Sequence, residues 1–113
     1  MGKDALLIFT GETMVKLTKE ELDELFVYDE TSSTCLRWKD GNEYGATGAA
    51  GKHDKLGNPF LFIYGQRVSI ALIVWIMRGR TLHAQKALAP RDGNLANVRI
   101  GNLQEVVLYQ TPL

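Results

Sequence analysis

The sequence predicts one small α+β domain, built as a small sheet with flanking helices. The chain has 113 residues, which suits a single compact domain. Hydrophobic residues make up 45% and charged residues 23% of the chain, so a packed core is expected rather than disorder. Short segments with strand alternation and segments with helical spacing follow one another along the chain, which is typical of an α+β fold.

The first clear helix signal begins at Thr18. Glu21 follows three residues later, as in a capping box, and apolar residues then recur at helical spacing. This pattern predicts a helix over 19–26. Residues 1–18 are interpreted as a lead-in with one short strand, and residues 19–113 as the single domain.

Three strands are predicted in the middle of the chain. Alternation and strand-forming residue types predict strands over 34–38 and 59–64. A turn at 65–66 with glycine at its first central position is typical of a type II′ hairpin, and it leads into a third strand. The glycine-rich stretch 39–58 predicts loops.

An apolar run from Ile70 to Met77 predicts the second helix. Ser69 is a candidate N-cap, and the length of the run with a closing Gly79 favours a helix over a buried strand. A helix that is apolar nearly all round is normally a core element. The alternative is that one side forms a partner interface, for which the candidates are Ile70, Ile73, Trp75 and Met77.

The last third of the chain predicts a turn, a short helix and a final strand. Residues 81–90 fit no single element. The tripeptide at 92–94, Asp-Gly-Asn, is typical of a turn. Asn97 is a candidate N-cap for a short helix over 98–103, and 104–109 is a candidate strand.

The charge balance limits the classes of partner. Thirteen Lys and Arg residues match thirteen Asp and Glu residues, so the chain lacks the basic excess that is usual in proteins that bind duplex DNA. A local basic face stays open, although a solvated charged surface is the simpler interpretation. The candidate phosphate-facing residues are Arg37, Lys39, Lys52, Lys55, Arg67, Arg78 and Arg80.

The cysteine content and the apolar segments indicate in which cellular compartment the protein is expected. The single cysteine, Cys35, excludes an intramolecular disulfide and a cysteine-based zinc site. The first residues lack the pattern of a secretory signal, and the longest apolar stretch is too short to cross a bilayer. We therefore expect a cytoplasmic protein without a membrane partner.

Three segments carry a family resemblance. The first joins 25–29 to a Leu-Arg-Trp-Lys stretch at 36–39, and the second is the glycine-spaced loop and strand over 48–65. The third and most specific is 92–103, where Asp-Gly-Asn is followed by Arg-Ile-Gly-Asn-Leu, with Trp75 upstream. Together they resemble phage-type HNH homing endonucleases with an AP2-like sheet. The resemblance implies a ββα-like C-terminal half and a phage origin.

The positions that carry chemistry in active members hold different residues here. The resemblance places Ala71 and Leu72 where a His-Arg pair stands. It places Ala89 and Pro90 at an Asp-His pair, and Val98 at an asparagine. In active members a histidine activates water and a divalent metal stabilises the leaving oxygen. The resemblance therefore implies a degenerate HNH protein that is not expected to be an enzyme, with no catalytic residue, metal or other cofactor.

Residual nuclease activity is the third alternative. His83, seven residues before Pro90, is the one candidate for a displaced general base, with Asp92 beside Mg²⁺ in that case. A surface histidine is the simpler interpretation of His83. In an Asp-Gly-Asn turn, Asp92 and Asn94 most often bond nearby backbone groups.

Two other function classes stay open. The first is a non-catalytic protein that binds and inhibits or modulates a host or phage protein, as zero net charge and the apolar 70–77 segment favour. The second is sequence-tolerant binding of duplex DNA by the sheet, without cleavage. The first class is our prediction from the sequence.

Overall fold

The computed structural model describes residues 2–3, 5–10 and 13–108. Two α-helices and small antiparallel sheets confirm the predicted α+β class. In chain order the elements are β1 (Gly2–Lys3), β2 (Ala5–Thr10), β3 (Thr13–Thr18), α1 (Lys19–Leu25), β4 (Phe26–Tyr28), β5 (Leu36–Trp38), β6 (Lys52–His53), β7 (Pro59–Ile63), β8 (Gln66–Ser69), α2 (Ile70–Met77), β9 (Leu82–His83), β10 (Lys86–Pro90), a 3₁₀ turn (Ile100–Asn102) and β11 (Leu103–Val107).

Strands β2 and β3 form an antiparallel hairpin that belongs to the core. Leu6, Ile8 and Leu17 are buried, whereas Leu7 between them is exposed, as strand alternation requires. The prediction of a lead-in over 1–18 is therefore corrected. It missed β3 because three of the six residues of that strand are polar and its apolar residues do not alternate strictly with them.

Helix α1 begins with the predicted capping box. The Thr18 side chain accepts a hydrogen bond from the Glu21 backbone N–H at 3.2 Å, and the Thr18 N–H donates to the Glu21 carboxylate at 2.9 Å. The helix ends at Leu25, one residue before the predicted end, because Phe26 is already extended. Leu22 and Leu25 face the core.

Strand β5 connects two parts of the fold through the backbone. It pairs with β4 on one edge and bonds to the 48–50 segment on the other, where the Ala50 N–H donates to Leu36 O at 3.0 Å. The predicted strand start at residue 34 is corrected, because Cys35 has φ 65 and interrupts the extended backbone. Thr34 is fully buried, and its hydroxyl donates to Ala50 O at 2.5 Å.

Strands β6, β7 and β8 form a three-stranded antiparallel sheet. The hairpin turn between β7 and β8 lies at Tyr64 and Gly65, which have φ 52 and φ 75. Positive φ at both central residues is the type I′ arrangement. The predicted type II′ turn at 65–66 is corrected by one residue, because Gln66 already pairs with Ile63.

Helix α2 is confirmed and lies in the core. Ser69 occupies its N-cap position without a side-chain capping bond. The predicted interface residues pack inside the chain and present no surface to a partner. Their exposed fractions are 0% for Ile70, 0% for Ile73, 5% for Trp75 and 6% for Met77. The interface prediction is corrected, because α1, β2, β7 and β8 cover this side of the helix.

The C-terminal part is mostly strand. The ambiguous segment 81–90 contains β9 and β10, and β10 pairs antiparallel with β11. The short helix predicted over 98–103 is limited to the 3₁₀ turn Ile100–Asn102, because Leu103 already starts β11. The predicted final strand ends at Val107, and Tyr109 lies outside the described residues.

In the described part of the chain, neither helix has the length and hydropathy that crossing a bilayer requires.

Substituting Gly51 by alanine should destabilise the fold. Gly51 has φ +85, and an added β-carbon would meet the Ile70 side chain and lie 2.6 Å from Phe60 O. Left-handed strain costs about 1–2 kcal/mol and overpacking about 1–3 kcal/mol, so Gly51→Ala should lose about 2–5 kcal/mol in urea unfolding. Gly48, at φ +81 in open space, is the matched control. Equal losses for the two variants would contradict this packing.

Candidate functional site

An apolar cavity of about 290 Å³ lies between the first turn of α2, strand β10 and the loop before the 3₁₀ turn. Val98 and Leu103 are 3% and 2% exposed and form its closed side. Half-buried Leu72 and Leu88 contribute aliphatic side chains to its walls. The cavity therefore offers an apolar environment within reach of the surface.

Five positions that the sequence singles out meet at this cavity. Ala71 and Leu72 line it from α2. Ala89 and Pro90 line it from β10, and Val98 lines it from the loop. The chain separates these positions widely, and the fold brings all five together. None of the five side chains is a proton acceptor or a metal ligand, so together they provide an apolar lining.

The rim of the cavity adds exposed apolar area. Leu95 lines the cavity and is 40% exposed. Leu56 is 75% exposed in the loop before β7, and Asn58 of the same loop lines the cavity. Sequence reasoning missed both leucines, because each is a lone apolar residue within a polar loop.

A hydrogen-bonded network around Asp92 holds the loop that carries Leu95 and Val98. Its carboxylate accepts bonds from the Asn94 backbone N–H at 2.8 Å, from Asn97 Nδ2 at 2.9 Å and from Asn102 Nδ2 at 3.0 Å. These bonds hold the pKa of Asp92 below its ordinary value, the Asn94 N–H contributing most. The network gives Asp92 a structural role in this loop.

The same loop is anchored to the N-terminal half by Tyr28. The Ile100 backbone N–H donates to the Tyr28 hydroxyl at 2.8 Å, and that hydroxyl donates to Glu30 at 2.6 Å. Burial, together with the bond to Glu30, raises the pKa of Tyr28 to about 12. The hydroxyl therefore stays neutral, and the anchor persists at physiological pH.

His83 is engaged with Glu105. Its Nδ1 lies 3.0 Å from Glu105 Oε1, and its backbone N–H donates to Oε2 at 2.6 Å. These contacts lower the pKa of Glu105, the backbone bond first. Leu82 lines the cavity, whereas His83 is not among the lining residues. The structure thus gives His83 and Asp92 different partners.

No group of three or more His, Cys, Asp or Glu residues in the described ranges could hold a metal ion.

Four of the seven candidate basic residues lie over aromatic rings. Arg67 and Lys52 lie over the Phe60 ring of the three-stranded sheet, at 3.9 and 5.8 Å from its centroid. Arg78 and Arg80 follow α2 and stack on the rings of Tyr28 and Trp75. Arg67 also pairs with Asp54 at 2.6 Å and Arg37 with Asp29 at 3.6 Å, while Lys39 and Lys55 are exposed.

Exposed aromatic residues accompany the basic residues of the sheet. Phe62 and Tyr64 are 58% and 49% exposed at the end of β7. Strand alternation was the available signal for Phe62, since it lies between buried Leu61 and Ile63. This face combines aromatic and cationic groups.

Comparison with protein-family models, with curated proteins and with solved structures finds no match to this chain. Its function is therefore inferred from the cavity and the exposed surfaces.

Asp92→Asn should lower the free energy of unfolding at neutral pH. It should also make that free energy fall less steeply as the pH is lowered into the acidic range. The folded-state pKa of Asp92 is depressed, so its stabilisation is present above the unfolded value of 3.8 and is lost as the pH falls through the folded value. Urea unfolding at neutral and acidic pH measures both effects. Asp40→Asn, at an exposed loop position, is the control. Identical acid profiles for wild type and Asp92→Asn would contradict this role.

Proposed function

We propose that this chain is a non-catalytic HNH-like protein that binds a host or phage protein and inhibits or modulates it, in the cytoplasm of a bacterial host. One observation carries the proposal. The resemblance expects polar residues, including the general base and the metal ligands, at five positions that line a single apolar cavity, and they are Ala71, Leu72, Ala89, Pro90 and Val98. A site of this composition favours binding over hydrolysis.

The chemistry of the lining argues against phosphodiester cleavage at this place. General-base catalysis needs a proton acceptor within hydrogen-bond reach of the attacking water. A divalent cation needs oxygen or nitrogen ligands, and stripping its water shell in apolar surroundings is costly. Among the residues that the structure describes, the lining has polar side chains only at Asn58, Ser69 and Lys86, and none of these is a carboxylate or a histidine.

The same lining suits an apolar anchor from a protein partner. Binding energy in protein interfaces concentrates where a large side chain enters a desolvated pocket surrounded by near-neutral contacts. Burying one Leu or Phe side chain contributes about 1.5–3 kcal/mol. The exposed leucines at 56 and 95 would extend the contact beyond the cavity.

Binding of duplex DNA without cleavage is the second candidate. It is favoured by the sheet face on which Lys52 and Arg67 lie over Phe60, beside exposed Phe62. The zero net charge argues against it, since phosphate binding draws on a basic excess. Arg67 is also already paired with Asp54.

Capture from host lysate with matched baits tests the proposed function. We expect one identified protein to be retained at high salt by wild type and to be lost with Ala89→Glu, which places a charge in the cavity. Ala84→Glu makes the same change at an exposed position outside the lining and should retain the partner. Ala71→Leu fills the cavity without adding charge and should also lose it. Circular dichroism verifies that each bait is folded.

Three outcomes would contradict the proposal. One is capture of the same partner by all the baits. Another is duplex-DNA binding with a steep salt slope that Arg67→Glu abolishes. The third is magnesium-dependent nicking of duplex DNA that is lost in His83→Ala.

A further inference from the structure

We infer that the occupant of the cavity is an acidic, extended segment of a partner protein, which inserts one large apolar side chain and lies along β10. This inference rests on the proposed function and specifies the partner's chemistry. Three observations carry it: the charge at the rim of the cavity, the orientation of β10 and the apolar composition of the interior.

The charge at the cavity is positive and available. Lys86 is the one charged residue among the described residues of the lining, and exposed Arg91 directly follows Pro90. Among the described residues, neither cation lies within an ion-pair distance of a carboxylate. Glu105 is near enough for Lys86 to lower its pKa, but its oxygens already accept the contacts from His83.

Asp92, the residue that follows Arg91, also uses its carboxylate in other contacts. Asp92 accepts three hydrogen bonds from its own loop. In the described structure, therefore, Lys86 and Arg91 form no direct ion pair, although Glu105 lies within electrostatic range of Lys86. Complementary charge in an interface guides association and selects the partner, so a segment bearing Asp or Glu fits this rim.

Strand β10 presents an edge to the cavity. All five of its residues, Lys86–Pro90, line the cavity and all are half-buried. Because side chains alternate between the faces of a strand, consecutive lining residues mean that the edge of the strand borders the cavity. In the described structure β10 pairs with β11 alone, so this second edge is free of strand pairing. A free edge accepts an extended peptide through backbone hydrogen bonds.

The interior selects for an apolar side chain and against a nucleic acid. The closed side and the walls are aliphatic, with Val98, Leu103, Leu72 and Leu88. A phosphate backbone has no apolar group to insert there, and desolvating it would be costly. The cations at this rim therefore suit a protein carboxylate beside an apolar anchor.

Selection from a displayed library of short random peptides tests the inference. The full chain is the target, and Ala71→Leu serves for counter-selection because it fills the cavity. We expect the retained peptides to be net acidic with one Leu, Phe or Trp anchor. Retention of basic peptides, of peptides without an apolar anchor, or of the same peptides on Ala71→Leu would overturn the inference.

Fluorescence anisotropy with the most enriched peptide then measures the two contributions. Replacing its apolar anchor by alanine should weaken binding about tenfold to a hundredfold, as expected for the loss of one buried side chain. Lys86→Glu should weaken binding of the peptide about threefold to fivefold, and high salt should weaken binding to the wild-type chain by a similar factor. Lys39→Glu reverses an exposed charge outside the lining and should leave the affinity unchanged. Equal effects of Lys86→Glu and Lys39→Glu would overturn the charge assignment.

Two results separate failure of this inference from failure of the proposed function. If no acidic peptide is selected while Ala89→Glu still loses a captured protein, the inference is overturned and the proposed function stands. If duplex DNA displaces the selected peptide and no captured protein depends on the cavity, both are overturned.

Discussion

The burial of helix α2 is the constraint on which the rest of this fold depends. Six of its eight residues are buried, so every neighbouring element must present an apolar side to it. Helix α1 and strands β2, β7 and β8 pack around it, and each supplies buried aliphatic or aromatic side chains. Burying one large apolar side chain contributes about 1.5–3 kcal/mol, so the six buried residues of α2 make the largest contribution of any single element to the core.

The cavity lies at the part of α2 that the surrounding helix and strands do not fully cover. Ala71 and Leu72 are the two residues of α2 that stay half-buried, and both line the cavity. Strand β10 and the loop organised by Asp92 form its other walls. The core helix and the candidate binding site are therefore parts of one packing arrangement, in which the helix provides rigidity and its first turn provides the contact.

The sequence predicts the strongly patterned elements well and the cooperative features poorly. The capping box at Thr18 and helix α2 are local signals, and both are confirmed. Strand β3 and the turn at Tyr64 depend on pairing across a hairpin, which residue types alone do not determine. The apolar pattern of α2 favours a core helix but leaves a partner interface open as an alternative. Only the packing of its neighbours decides for the core.

The candidate site, too, could be predicted from the sequence only in part. Position by position, Ala71, Ala89 and Val98 indicate only which polar residues the resemblance would expect and this chain does not have. That these positions form one apolar cavity is visible only in three dimensions. Leu95 and Leu56 likewise become candidate contact residues only because the fold places their loops beside the cavity.

A titration of the protein with benzene, followed by methyl NMR, tests the central claim most directly. Apolar cavities bind small apolar molecules, whereas polar sites hold water. An apolar binding site at the cavity predicts saturable shifts concentrated on the methyl groups of Ala71, Leu72, Ala89 and Val98, and the loss of these shifts in Ala71→Leu. Shifts distributed over the surface, or undiminished in Ala71→Leu, would contradict an apolar binding site at the first turn of α2.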